Sequence, residues 1–177
     1  MGAHCFAELK GDRPHDPRLP SVAAAAVLEM RVPPERLTWI SFSLPLLIEM
    51  KVASPQHKCL YIADARTPEA AWRAARASVG ARLDGVDLRA DPAAVTPELV
   101  AWMHAKGKRV AVWVGRAHSP RGDADDTAAV WAALEAHGVD DLTSNLPPAL
   151  GAWRARTHLV SDVRLAATTA LSARRVM

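Results

Sequence analysis

The segment TPEAAWRAARASVGARLDGVDL, residues 67–88, is followed after a short connection by TPELVAWMHAKGKRVAVWVG, residues 96–115. Each opens with Thr-Pro-Glu. Threonine suits the position just before a helix, where its oxygen accepts from a free backbone N–H. Proline suits the first helical turn, and glutamate meets the positive end of the helix dipole. Gly80 and Gly107 are the expected left-handed residues that stop the two helices. An apolar run then follows each stop at once, LDGVDL (83–88) and RVAVWVG (109–115). The pattern is helix, tight turn, strand, written twice.

Working outward from this pair, the same alternation covers most of the chain. Further strands are expected at HCFAELK (4–10), LTWISFS (37–43), KCLYIAD (58–64) and DDLTSN (140–145). Further helices are expected over 20–30, 44–52, 125–138 and 147–156. Strands alternating with helices of this length build parallel βα units. Several strands are apolar or small at nearly every position, as buried parallel strands are. The class is α/β, and 177 residues, half of them apolar, suit one domain with a real core.

Net charge is +3, but five arginines against one acidic residue lie from Gly151 onward. The basic excess belongs to the tail, which reads as solvated, and nucleic acid is not an expected partner. Cys5 and Cys59 sit in apolar runs without metal-ligand or disulfide spacing, so both are expected to be small buried hydrophobes in a reducing compartment. The longest apolar stretches fall far short of the roughly 20 residues of a membrane span. No export signal is apparent at the N-terminus, and a cytoplasmic location is expected.

The chemistry-bearing stretch is CFAELK. Side chains two apart in a strand share a face, so Phe6, Glu8 and Lys10 point one way and Cys5, Ala7 and Leu9 the other. A carboxylate at the carboxyl end of a parallel strand lies where α/β sheets and barrels hold ligands. There it suits a hard cation such as Mg²⁺ or Ca²⁺, and a neighbouring lysine suits a phosphate oxygen. Spacing alone favours a plain Glu–Lys ion pair at a strand end.

Motif order narrows the choice. After Glu8-Leu9-Lys10 come Ser41-Phe42, then Val112-Trp113, then Gly138-Val139-Asp140 and Asn145 with Pro147. This succession resembles the glycerophosphodiester phosphodiesterase family over about residues 4–153. The resemblance implies a TIM barrel and hydrolysis of glycerophosphodiesters to glycerol 3-phosphate and an alcohol, a reaction of lipid metabolism that uses a divalent metal. By the same resemblance Glu8 is a metal ligand, Lys10 neutralises the phosphate, and Trp113 is an apolar wall beside the glycerol. The substrate is then a small molecule.

The chain also departs from the family pattern. The family's His-Arg-Gly strand, its Glu-x-Asp strand and its His-Asp segment precede the Glu-x-Lys strand, which here is the first. His15-Asp16 follows Lys10 and reads as a polar loop. Val114, Gly115 and Arg116 replace Thr-Val-Asn after the tryptophan, and Ser144 replaces threonine. A full barrel takes about 250 residues and eight strands. Six strands make this an incomplete TIM (β/α)8-type barrel over residues 1–156, followed by a basic tail over 157–177. The expected chain is a truncated and inactive phosphodiesterase that holds metal weakly, with exposed barrel edges that invite self-association. The alternative is a non-catalytic phosphate-binding or interaction module derived from that fold.

The remaining aromatic and imidazole side chains take plainer roles. His104 and His137 sit near helix C-termini, where they complement the dipole. His4 shares the face of Glu8 but lies too far back along the strand to join it at one metal. His118, Arg116 and Arg121 share the loop after the Trp113 strand and would lie at the barrel rim. Trp39, Trp72, Trp102, Trp131 and Trp153 suit core or helix packing.

Overall fold

A computed structural model describes residues 4–11, 16–114 and 126–157. Its order is β1 (Cys5–Glu8), α1 (Leu19–Glu29), β2 (Leu37–Ser41), α2 (Leu44–Ala53), β3 (Lys58–Ala63), α3 (Pro68–Gly80), β4 (Gly85–Arg89), α4 (Pro97–Ala105), β5 (Arg109–Trp113), α5 (Ala128–Ala136) and β6 (Asp141–Leu142). A last helix, α6, spans 147–157. All five strand pairings are parallel, and strand order in the sheet follows chain order. Unbroken sequential order curls a parallel sheet toward a barrel. The sheet is a half-barrel of TIM type with its helices outside. Among the described residues β1 and β6 each pair on one side only, so both edges are open.

Register sorts the side chains into two faces. Glu8 pairs with Ile40, Ile62 with Asp87, Asp87 with Ala111, Arg89 with Trp113 and Ala111 with Asp141. By alternation these residues face the concave side. Their neighbours Trp39, Cys59, Val86, Leu88, Val110 and Val112 face the helices and are buried.

The core under the helices falls into two clusters. One joins α3, α4 and α5 to β4 and β5 through Ala75, Val86, Leu99, Met103, Val110 and Leu134. The other joins α1 and α2 to β1, β2 and β3 through Val27, Trp39, Leu46, Leu47, Met50 and Cys59. Tyr61 on β3 packs against both. Leu46, Leu47 and Met50 are completely buried, each contributing about 1.5–3 kcal/mol. Apolar burial is what fastens α2 to the sheet.

Two Thr-Pro-Glu starts behave as the sequence predicts. Thr67 accepts from the Ala70 N–H at 3.3 Å and Thr96 from the Leu99 N–H at 3.4 Å. Gly107 ends α4 with φ of +65°. Gly80 does not do this for α3. It is the last helical residue, and Arg82, with φ of +59°, takes the left-handed position instead. The helix ends at Gly80, and the turn that carries the chain on to the buried Leu83 falls on the arginine.

Cys5 is a second correction. It is exposed, whereas Cys59 is buried. An apolar run gives burial only where the strand is covered, and β1 is an edge. The tryptophans pack as expected: Trp39 and Trp131 are buried, Trp72 meets Trp102 edge-on at 5.3 Å, and Trp131 meets Trp153 at 5.7 Å.

At the amino-terminal ends of the strands, Asp84 Oδ2 accepts from Lys51 Nζ at 2.7 Å and from the Cys59 N–H at 2.8 Å. This ties α2 to β3 and β4 on the side away from the ligand end. Gly85, on the concave face, is required by a close approach. A Cβ there would lie 2.1 Å from the Arg109 carbonyl oxygen. No helix among the described residues is long and apolar enough to cross a membrane.

Candidate functional site

At the carboxyl ends of the strands the concave face opens into a cleft of about 410 Å³. Glu8 and Lys10 come from β1 and the turn after it, Ile40 and Phe42 from β2 and its loop, and Ile62 from β3. Asp87 and Arg89 come from β4, Trp113 and Val114 from β5 and Thr143 from just beyond β6. Five of the six strands, and the residue just after the sixth, therefore contribute to one wall or another. A smaller cleft of about 300 Å³ adjoins it and shares Glu8, Lys10 and Phe42.

Glu8 and Lys10 lie on one face as their spacing predicts, with Lys10 Nζ 3.5 Å from Glu8 Oε2. The Glu8 side chain is about one-third exposed and that of Lys10 mostly exposed. Both are open to a ligand. Ser41 and Phe42 divide their labour. Ser41 Oγ donates to the Leu9 carbonyl at 2.7 Å and accepts from the Ser43 N–H at 3.0 Å, which fixes the turn after β1 to the end of β2. Phe42 meets Trp113 edge-on with ring centroids 5.7 Å apart, forming the aromatic side of the cleft.

The Gly-Val-Asp and Asn-x-Pro segment is structural in its detail. Asp140 Oδ2 accepts from the Val110 N–H at 2.8 Å and meets His104 Nε2 at 3.0 Å. Ser144 Oγ and the Asn145 N–H both donate to the buried Asp126, which also accepts from Trp131 Nε1 at 2.8 Å. His137 Nδ1 bonds the Val95 carbonyl, and His4 bonds the Glu35 carbonyl and Thr38 Oγ1. None of these three histidines lines the cleft. His15, Arg116, His118, Arg121 and the 158–177 stretch of the tail lie outside the described residues.

Two cleft residues were absent from the sequence-based candidates. Arg89, 9% exposed, pairs with Asp64 at 3.4 Å, and Asp64 is itself held by Arg66 at 3.0 Å. The hydrogen bond from Arg66, helped by the charge of Arg89, keeps the Asp64 carboxyl below its ordinary range. Asp87 is only 2% exposed, and its Oδ1 has no hydrogen-bond partner among the described residues. Burial, reinforced by the Asp141 and Glu8 carboxylates, pushes Asp87 up to about 7. Arg109 Nη2 takes Asp141 at 2.7 Å. Trp113 Nε1 is likewise buried without a partner among the described residues. The signal for Asp87 and Arg89 was present in LDGVDLR, where alternation sets Asp and Arg on one face between buried Val86 and Leu88.

The implied divalent metal can be tested against these groups. Among the described residues no three His, Cys, Asp or Glu side chains gather as a metal cage. Mg²⁺ and Ca²⁺ take six or more oxygens, so Glu8 beside an ammonium is far from a full set. The described residues do not form a closed metal centre.

Solved structures share this architecture. A glycerophosphodiester phosphodiesterase from Parabacteroides distasonis ATCC 8503 superposes with a TM-score of 0.62 at 19% identity, over 87% of this chain and 58% of that one. The chain shares the parallel half-barrel fold of part of that enzyme. A Galdieria sulphuraria protein designated a glycerophosphodiester phosphodiesterase gives 0.63 at 22% identity, over 81% of this chain and 54% of the other. An Oleispira antarctica phosphodiesterase in complex with its product sn-glycerol-3-phosphate gives 0.57 at 18%, over 82% and 53%. The chain thus spans little more than half the length of these phosphodiesterases. No family model and no curated protein matches the sequence.

Proposed function

We propose that the cleft is the phosphate-ester site of a glycerophosphodiester phosphodiesterase-type hydrolase, which splits a glycerophosphodiester into glycerol 3-phosphate and an alcohol in lipid metabolism. The observation that carries this reading is the convergence of Glu8, Lys10 and Trp113 with Arg89 on one cleft at the carboxyl ends of the strands. Lys10 and Arg89 supply positive charge for phosphoryl oxygens, and Trp113 with Phe42 supplies an apolar wall for the carbon skeleton. Glu8 is the residue that would hold a divalent cation such as Mg²⁺ or Ca²⁺, and one carboxylate would hold it weakly. When bound, the cation supplies further charge stabilisation at the phosphate. With Glu8 as the one cation ligand proposed among the described residues, the chain is expected to bind the ester and to be inactive or nearly so.

Calorimetric titration of the purified chain with sn-glycerol 3-phosphate, with and without Mg²⁺ or Ca²⁺, tests this. Saturable binding is expected, weakened about tenfold in Lys10→Ala, the loss of one charge-assisted hydrogen bond. Glu8→Gln removes the cation's enhancement and leaves metal-free binding in place. Absence of any phosphate-ester binding, or a metal effect unchanged in Glu8→Gln, refutes the assignment.

A further inference from the structure

In a parallel half-barrel every turn from a helix into the next strand lies at one end, opposite the cleft. These turns carry Arg31, Arg36, Lys58, Arg82, Lys106 and Lys108, and the last turn of α6 adds Arg154 and Arg156. None of them has an ion-pair partner among the described residues. The carboxylates at this end are largely taken: Lys51 holds Asp84, His104 meets Asp140, Arg109 holds Asp141, and Glu135 is engaged as well. Glu29 and Glu35 are left against an excess of cations. Beside those cations stand exposed aliphatic side chains, Leu28 and Met30 at the end of α1 and Val52 at the end of α2, which are 72%, 66% and 81% exposed. Arg31 and Arg82 stop α1 and α3 in the left-handed conformation, with φ of +51° and +59°, where glycine would be less strained.

Helix dipoles favour cations at helix carboxyl ends. They do not call for aliphatic side chains standing in water beside those cations, nor for arginine at a backbone position that suits glycine. Cations interleaved with exposed apolar side chains match the membrane interface, where ammonium and guanidinium groups meet anionic headgroups and apolar side chains enter the layer beneath. We propose that the end of the half-barrel opposite the cleft docks on a membrane surface rich in anionic phospholipid, its lysines and arginines on the headgroups and Leu28, Met30 and Val52 in the interfacial layer. Nucleic acid fits this end less well. The adjoining Trp72 and Trp102 rings meet edge-on, and Arg76 and Lys106 lie over them at 5.5 and 4.9 Å, so neither ring is an open platform for a base. The proposal is independent of the reading of the cleft. Docking by this end turns the cleft away from the bilayer and leaves it open to esters dissolved in water.

Vesicle co-sedimentation of the full chain tests this. The chain is expected to bind vesicles of phosphatidylcholine containing about 30 mol % phosphatidylserine far more tightly than vesicles of phosphatidylcholine alone, and to release them as salt rises to about 0.5 M. Lys58→Ala combined with Lys106→Ala removes cations from two separate turns and lowers the partition coefficient about tenfold or more. Lys58→Arg combined with Lys106→Arg keeps it. Met30→Ser combined with Val52→Ser, both at exposed positions, lowers it about threefold or more. No binding to the anionic vesicles, equal binding to both kinds, or an unchanged partition coefficient in the Lys58 and Lys106 alanine variant overturns the proposal. Loss of binding in Arg164→Ala, Arg174→Ala, Arg175→Ala while the Lys58 and Lys106 alanine variant binds in full moves the contact to the tail and overturns it too. Tighter binding of a single-stranded oligonucleotide than of the anionic vesicles makes the partner nucleic acid and overturns the lipid assignment.

Discussion

Replacing Asp87 with asparagine should flatten the pH dependence of folding stability. In the folded chain this carboxyl is pushed up to about 7 from the ordinary 3.8, by burial first and then by Asp141 and Glu8. A carboxyl raised by folding favours the fold while protonated, and that advantage is lost as pH rises through about 7. At about 1.36 kcal/mol per pH unit, the gap between the two values corresponds to a limit of about 4 kcal/mol. Between pH 8 and pH 5 about 3 kcal/mol of it is recovered. The groups around Asp87 are Glu8, Lys10, Arg89, Arg109 and Asp141, and Asp87→Asn leaves all of them in place. Urea unfolding of both proteins at pH 5, 6, 7 and 8 isolates the contribution of Asp87. With a denaturant slope of about 2 kcal/mol per molar, the wild-type midpoint should rise by about 1.5 M relative to the variant between pH 8 and pH 5. Parallel pH profiles would mean that Asp87 is hydrated or paired in solution, and the account of the cleft floor would fall with them.

Two further substitutions test the scaffold. Gly85→Ala forces a methyl group into the Arg109 carbonyl and should cost about 1–3 kcal/mol as backbone shifts to relieve the clash; an unchanged unfolding midpoint would contradict the close approach of β4 and β5. Arg82→Gly relieves a left-handed non-glycine residue at the end of α3 and should stabilise by about 0.5–1 kcal/mol, read from thermal unfolding. A loss of stability there would mean that the Arg82 side chain contributes more than its backbone costs.

The fold was largely legible because its signals are local. Thr67 and Thr96 announce helix starts through their own hydroxyls, and runs such as RVAV mark strands buried on both faces. What escaped depends on neighbours distant in sequence. Cys5 reads as buried from its apolar flanks, but burial is decided by whether another strand or helix covers β1. Gly80 reads as a helix stop, but the chain turns where Leu83 must enter the core. At the site, Glu8, Lys10 and Trp113 were reachable through motif order, and they do line one cleft. Asp87 and Arg89 carry no motif. Their meaning comes from the register of β4 with β3 and β5, which sets them facing the concave side opposite Glu8.

The divided core gives the cleft a particular dynamic character. Glu8, Lys10 and Phe42 belong to the half packed by α1 and α2, whereas Asp87, Arg89 and Trp113 belong to the half packed by α3, α4 and α5, with Tyr61 at the seam. Cooperative opening units tend to follow such packing boundaries, so amide exchange should sort the two halves into separate protection classes. If the proposed ligand is held by Lys10 on one side and by Arg89 and Trp113 on the other, it would act as a rivet across that seam and slow breathing of the entire half-barrel.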